Sequence, residues 1–259
     1  MRRPLDDRRQ DVLHPSEIIK PDWCHRYAYH LLTGGESKRQ KPNLKLQNIF
    51  DEGHYIHAKW QKRFQEMEVL YGKFQCVACN TVTTGLSPKC EQCGTAETME
   101  YKEVTLVDDA LRIAGHTDGW IKGIGDDCLI EIKSIGAGTL RFEAPEILAD
   151  AGGDINKAFN KIRRPFRSHL LQGQMYLELA YRMFGNEAPK EIVFLYENKA
   201  DQSIKEFVVD ADFDLVERIF FQAEKLIKAV KAEKMPECNV KPDGCKACDS
   251  AIDLENWDA

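Results

Sequence analysis

The sequence predicts an α/β protein in which helices pack around a central sheet. Three observations carry that reading. Apolar residues recur at helical spacing in separated blocks, and short alternating runs of strand type lie between them. A stretch rich in Gly, Cys, Thr and Ser at 72–100 interrupts the pattern, so the order is helix, sheet, helix, sheet, helix with a small module inside it. The 259 residues are enough to bury a proper core, and 43% hydrophobic with 30% charged residues argues against global disorder. The net charge of −6 argues against a protein coated in basic residues. It leaves nucleic acid open, because phosphate contacts need a local basic track rather than a basic total.

From the N-terminus, Met1-Arg2-Arg3-Pro4-Leu5-Asp6-Asp7 has no apolar run behind its basic residues, so no secretory signal is expected. No stretch approaches the roughly 20 apolar residues that span a bilayer. No membrane association and a cytoplasmic location are the expectations. Residues 13–33 read as a helix entry and a helix, with Ser16 after Pro15 offering a cap and Trp23, Tyr27 and Leu31 spaced four apart. The basic run Lys38-Arg39-Gln40-Lys41-Pro42 reads as a loop. Helical periodicity returns from Leu44 to Leu70 through Leu46, Ile49, Phe50, Ile56, Trp60, Phe64 and Met67.

The module at 72–100 divides the chain into a main domain of 1–71 and 101–259 and an insert. Strand-like runs at 103–107, 111–122 and 127–133 are separated by Asp-Asp and Gly-rich turns. Residues 136–165 read as loop with a short helix. A helix from Phe166 to Phe184 stops at Gly185-Asn186. Segments Glu191–Glu197 and Ser203–Val209 look β-like, a helix covers Asp212–Lys234, and the tail carries three cysteines.

The most informative stretch is Gly115-His116-Thr117-Asp118-Gly119-Trp120, followed by Ile130-Glu131-Ile132-Lys133-Ser134. Alternate residues of a strand share a face, so Glu131 and Lys133 point one way while Ile130 and Ile132 point into a core. A hairpin turning near 123–127 brings Asp118 beside Glu131. Two adjacent carboxylates repel unless a cation sits between them, and oxygen donors suit Mg²⁺ or Mn²⁺. Such an ion polarises a phosphate and acidifies water, and an adjacent lysine neutralises developing charge. Alone, this D-x(n)-E-x-K pattern is weak, since a solvated strand face produces it often.

Further features join it. Gly53-His54-Tyr55-Ile56-His57 sits on a helix, where His57 can add an imidazole to the same ion and Gly53 permits close approach of another element. His54 and His116 read as surface or supporting histidines. Gln172 and Tyr176 are four apart on one helix face, placing an amide and a phenol together.

In this order, Gly53…His57, Gly115-His116-Thr117-Asp118, Glu131-Ile132-Lys133 and Gln172…Tyr176 resemble the RecB-type branch of the PD-(D/E)XK nuclease superfamily over roughly residues 14–250. That branch includes the nuclease domains of RecB and AddB and related CRISPR-associated exonucleases. The resemblance implies a restriction-endonuclease-like central mixed sheet flanked by helices. It implies His57, Asp118, Glu131 and the Ile132 carbonyl as ligands of Mg²⁺ or Mn²⁺, with Lys133 catalytic and Gln172 and Tyr176 supporting it. The activity it implies is a DNA exonuclease working on ends or single strands in recombination, repair or DNA processing. An endonuclease with the same site, or a nucleic-acid-binding protein that kept the fold, are the alternatives.

Nine cysteines are many for this chain, and in a reducing compartment clustered cysteines more often bind metal than pair as disulfides. Cys76-x-x-Cys79 and Cys90-x-x-Cys93 are paired knuckles that converge on one tetrahedral Zn²⁺, a closed structural ribbon. Lys73, Lys89 and Lys102 offer phosphate contacts there, opposed by Glu91, Glu97, Glu100 and Glu103. Cys24, Cys238, Cys245 and Cys248 form a second set, one cysteine near the start and three near the end. That one-plus-three arrangement resembles the family members that clamp their chain ends around a [4Fe–4S] cluster. Here, however, the spacing is C-x6-C-x2-C, whereas the family places its close pair first. Iron–sulfur, zinc and a metal-free site all stay open. Cys128 reads as a small buried residue.

The densest basic segment is Lys161-Ile162-Arg163-Arg164-Pro165-Phe166-Arg167, ahead of the Gln172 helix. Lys161, Arg163, Arg164 and Arg167 suit phosphate contacts with DNA. Phe166 and Tyr29 can stack on bases or pack in the core. No phosphate-binding G-x-x-x-x-G-K-[ST] loop is present, so ATP-driven unwinding would need a helicase or other recombination partner.

Overall fold

A computed structural model of the chain describes residue 9, residues 11–35 and residues 42–251. The N-terminal run Met1–Asp7 and the basic run 38–41 lie outside the described residues. In chain order the elements are α1 (Pro15–Ile18), α2 (His25–Leu32), α3 (Leu44–Glu66), β1 (Leu70–Cys76), β2 (Val82–Leu86), β3 (Met99–Lys102), β4 (Val104–Asp108), β5 (Ile113–Thr117), β6 (Gly119–Ile121) and β7 (Cys128–Ile135). They continue with α4 (Ala137–Glu143), α5 (Pro145–Asp150), α6 (Ile155–Lys161), α7 (Arg167–Phe184), β8 (Glu191–Asn198), β9 (Ile204–Asp210), α8 (Asp214–Lys231) and α9 (Lys246–Ala251). The chain forms two compact units, one of residues 42–106 and 116–213 and one of residues 1–41, 107–115 and 214–259.

The first of these units is mixed α/β: a central seven-stranded sheet flanked by helices. Its strands run β2-β1-β6-β7-β8-β9, with β3 also paired to β1. Only β7 and β8 are parallel, from Cys128↔Glu191 to Ile135↔Asn198. A parallel pair needs a crossover, which the four helices between these strands supply. Residues 136–165, read from sequence as loop with a short helix, hold α4, α5 and α6. Each is too short to show periodicity. Pro145 opens α5, the Gly152-Gly153 pair follows it, and Asp154 caps α6 through Lys157 N–H.

Leu70, Phe74, Cys76, Cys90, Met99, Ile121, Ile130, Ile132 and Leu195 belong to one buried cluster, with Trp60 and Phe64 of α3 packed against it. The segment 72–100 therefore does not float free of the sheet: β1 begins beside β6 and runs on between β2 and β3. Two glycines permit close contacts at the centre. A Cβ at Gly119 would meet Ile130 Cγ2 at 2.7 Å, and one at Gly173 of α7 would meet Phe194 Cζ at 2.5 Å. Gly53 is less demanding, its Cβ position lying 3.4 Å from Ser134 Oγ.

A buried ion pair fixes α3 to β8. Glu197 accepts Lys59 Nζ at 2.5 and 2.6 Å and Trp60 Nε1 at 2.6 Å. No sequence pattern announces this pairing across 138 positions.

In the other unit, α2 packs with α8 and α9. Leu13 bridges to Ile113, and Tyr29 is buried, so its ring is a core group. The expected Ser16 cap is not made. His14 is the N-cap of α1 without a side-chain bond, and Pro15, with its preset φ, takes the first helical position and leaves Ser16 inside the helix. Among the described residues no helix is long and apolar enough to cross a membrane.

Candidate active site and cysteine sites

The turn between β5 and β6 places Asp118, 7% exposed, where three elements meet. The β6–β7 hairpin pairs Gly119 with Ile130, bringing Asp118 against the middle of β7. Its Oδ2 accepts the Ile132 N–H at 2.7 Å, and its Oδ1 lies 3.0 Å from His57 Nδ1 of α3. One turn on, Gln61 donates to the Asp118 carbonyl at 2.9 Å and to Glu103 Oε1 at 3.2 Å. One donor atom from each of His57, Glu103 and Asp118 falls in a group within 4.8 Å of one another.

Glu131, 3% exposed, stands next along β7. Lys133 Nζ lies 2.7 Å from its Oε1, while Oε2 is buried without a hydrogen-bond partner among the described residues. Lys133 also donates to Gln172 Oε1 at 3.1 Å, and the Gln172 amide donates to Tyr176 OH at 2.8 Å. Thus Asp118, Glu131, Lys133, His57, Gln172 and Tyr176 come together, and Ile130 and Ile132 lie in the core as the alternation predicts. His54 and His116 are exposed and outside the group.

The electrostatics show a cluster with too much negative charge for its protein cations. Burial pushes the Glu131 carboxyl up to about 7, against the pull of Lys133 and with help from Asp118. Burial and the Asp118 charge also raise Glu103. Burial opposes protonation of His57 and Lys133, yet Asp118 outweighs it for His57 and Glu131 with Asp118 for Lys133, so both are held above their ordinary values. A partnerless buried carboxylate oxygen beside other oxygen donors and an imidazole is the donor chemistry of a hard divalent cation.

Sequence reasoning missed Glu103 and Gln61, which enter from separate elements without a motif. It also missed His169 and Tyr196. Tyr196 OH accepts the Phe166 N–H at 2.9 Å and lies 2.6 Å from His169 Nδ1, and Tyr196 pairs with Lys133 in the β7–β8 register. Burial and the Lys133 charge hold His169 neutral, its pKa down at about 3.

The basic segment lines a cleft of about 590 Å³ with Glu143, Pro145 and Leu170. Lys161 Nζ and Arg163 are turned onto the carbonyls of Asp150 and Asn160, leaving Arg164 and Arg167 as the cations that face the cleft without such bonds. Phe166 is buried against Tyr196 and belongs to the core.

Both cysteine sets converge. In the ribbon, Cys76 and Cys93 sulfurs lie 3.9 Å apart and Cys79 and Cys90 sulfurs 3.5 Å. Each knuckle closes in the same way: Asn80 N–H bonds to Cys76 O and Gly94 N–H to Cys90 O, with Asn80 (φ 61°) and Gly94 (φ 72°) left-handed. At the chain ends, Cys24 lies 3.9 Å from Cys238 and 3.2 Å from Cys248, and Cys245 lies 3.7 Å from Cys248. None of the nine cysteines is paired in a disulfide, and Cys128 is a buried core residue. Both sets of four could hold a metal ion.

No family profile matches the sequence, and no curated protein matches it. Among solved structures, the chain is similar to the alkaline exonuclease LHK-Exo from Laribacter hongkongensis. In complex with dAMP that protein aligns at TM-score 0.46 and 15% identity, covering 87% of this chain and 90% of the other. A second LHK-Exo structure aligns at TM-score 0.44 and 14% identity with the same coverage. SSO0001 aligns at TM-score 0.39 and 12% identity, covering 88% of this chain and 79% of the other. Similarity of this depth assigns no residue a role, and the chemistry rests on the side chains themselves.

Proposed function

We propose that this protein hydrolyses DNA phosphodiester bonds with a divalent metal ion, as an exonuclease acting on ends or single strands. The observation that carries the reading is the pairing of His57 with Asp118 and of Lys133 with Glu131, whose second carboxylate oxygen is buried without a hydrogen-bond partner among the described residues. The same residues carry the RecB-type resemblance in the sequence, so spacing and geometry point to one site. His57, Asp118, Glu131 and the Ile132 carbonyl would hold the ion, with Glu103 as an additional carboxylate in reach of it. A bound Mg²⁺ or Mn²⁺ supplies Lewis acidity and charge neutralisation at the scissile phosphate.

The chain's own groups do the positioning. Lys133, fully charged and clamped between Glu131 and Gln172, orients the attacking water and offsets charge that builds on the phosphate oxygens. Tyr176 fixes the Gln172 amide so that its oxygen faces Lys133. Gln61 holds the Asp118 backbone and Glu103 in place. Arg164 and Arg167 take phosphates of the strand beyond the cut.

The test compares a linear labelled duplex, a single strand and a covalently closed circle, each with Mg²⁺ or Mn²⁺. The wild type is expected to degrade the linear substrates and spare the circle. Nicking of the circle makes it an endonuclease, and Asp118→Ala with wild-type activity removes the site assignment altogether.

A further inference from the structure

We infer that Cys24, Cys238, Cys245 and Cys248 hold a single tetrahedral zinc ion, and not the iron–sulfur cubane that the one-plus-three arrangement suggests. Distance decides between the two. Four thiolates on one zinc, each at about 2.3 Å, stand about 3.8 Å apart. In a cubane each thiolate caps a different iron, which spreads the sulfurs to on the order of 6 Å. Here the four sulfurs all lie within 4.8 Å of one another, and individual edges measure 3.9, 3.2 and 3.7 Å. The ribbon, whose paired knuckles suit zinc, has edges of 3.9 and 3.5 Å.

The backbone sets this spacing. Asn239, beside Cys238, accepts the His25 N–H at 2.8 Å and donates to the Trp23 carbonyl at 2.9 Å, gripping the chain on both sides of Cys24. Cys24 caps α2 by accepting the Tyr27 N–H at 3.4 Å. Moving Cys238 outward by the extra width of a cubane would break the Asn239 clamp. Nor is there room between the ligands for inorganic sulfide. A cavity of about 160 Å³ lies nearby, but Cys24 is the only one of the four that lines it. Tyr27, Val240 and Ala247 pack against the cysteine cluster.

A zinc ion at such a site is itself redox-silent. It fastens the two ends of the chain without offering an electron carrier. The inference is independent of the nuclease reading, because none of the proposed catalytic residues enters it.

The experiment uses the full chain, produced in iron-replete cells and purified without oxygen so that no labile cluster is lost. Zinc, iron and acid-labile sulfide are counted per chain, and the absorption spectrum is recorded. The expected result is a colourless protein with two zinc ions and no sulfide. A Cys90→Ser/Cys93→Ser variant is expected to keep one zinc, and Co²⁺ exchanged into it should give the intense visible bands of a tetrahedral thiolate site. Iron with sulfide, iron without sulfide, or only one zinc in the wild-type chain overturns the inference.

Discussion

The thiolate sites and the acidic cluster are built on opposite rules. In each cysteine set four sulfurs converge within 4.8 Å of one another, with backbone N–H groups turned onto them. Around Asp118 the donors are unlike and incompletely matched: an imidazole, carboxylates, a lysine claiming one oxygen of Glu131 and, among the described residues, no partner on the other. A closed set of donors stabilises the fold. An unmatched buried oxygen destabilises it, and persists where a ligand or a reaction needs it. The contrast separates two candidate sites in one chain: a metal at the cysteines should be read in stability, a metal at the acidic cluster in turnover.

Five substitutions sharpen or break that contrast. Cys248→Ser should have the largest effect, lowering the unfolding free energy of the wild type by about 5 kcal/mol or more as its metal is lost. Cys90→Ser should lose less. The Cys24–Cys238 contact spans 214 positions and the Cys79–Cys90 contact 11, about four doublings of loop length, which corresponds to roughly 2 kcal/mol of closure entropy. Equal losses by denaturant titration would remove the distinction between a local and a chain-closing site.

Glu131→Gln comes next, with cleavage reduced roughly a thousandfold. Its melting temperature should hold or rise, because the amide keeps an oxygen for Lys133 while a neutral group replaces the charge at the buried oxygen that has no partner among the described residues. A fall in melting temperature would place Glu131 among the stabilising groups instead. Lys59→Ala should cost about 3 kcal/mol by stranding Glu197 in the core, with little change in kcat of the remaining folded protein. Gln172→Ala should be mildest: kcat falls about tenfold at unchanged KM, because Lys133 keeps Glu131 but loses its second anchor. An equal effect on KM would mean that Gln172 touches substrate directly.

How much of this was legible in the sequence depended on the range of the pattern. The Glu131–Lys133 strand shows itself through period-two alternation, and the Gly119 hairpin through its turn residues. The ribbon knuckles were legible because a CxxC turn is entirely local. His57 and the Gln172–Tyr176 pair carried meaning only as a set in order, because a lone imidazole or amide on a helix has many bland explanations. Glu103, Gln61 and the Lys59–Glu197 pair left no trace, since each is made by elements that meet only after folding. The short helices of 136–165 were hidden by their glycines and lengths. At the chain ends the four cysteines were legible as a set, but a spacing in sequence says nothing about the spacing in ångströms at which the sulfurs converge.

The shared core beneath β1 has a practical corollary. Cys76 and Cys90 sit in the same buried cluster as Ile130 and Ile132, the residues that seat the strand bearing Glu131 and Lys133. A strong chelator added to test for a magnesium requirement would also strip any metal held by these cysteines and loosen the floor under the acidic groups. Loss of cleavage in EDTA would then report two injuries as one. Leaving magnesium out of the buffer, and restoring it afterwards, is the cleaner control.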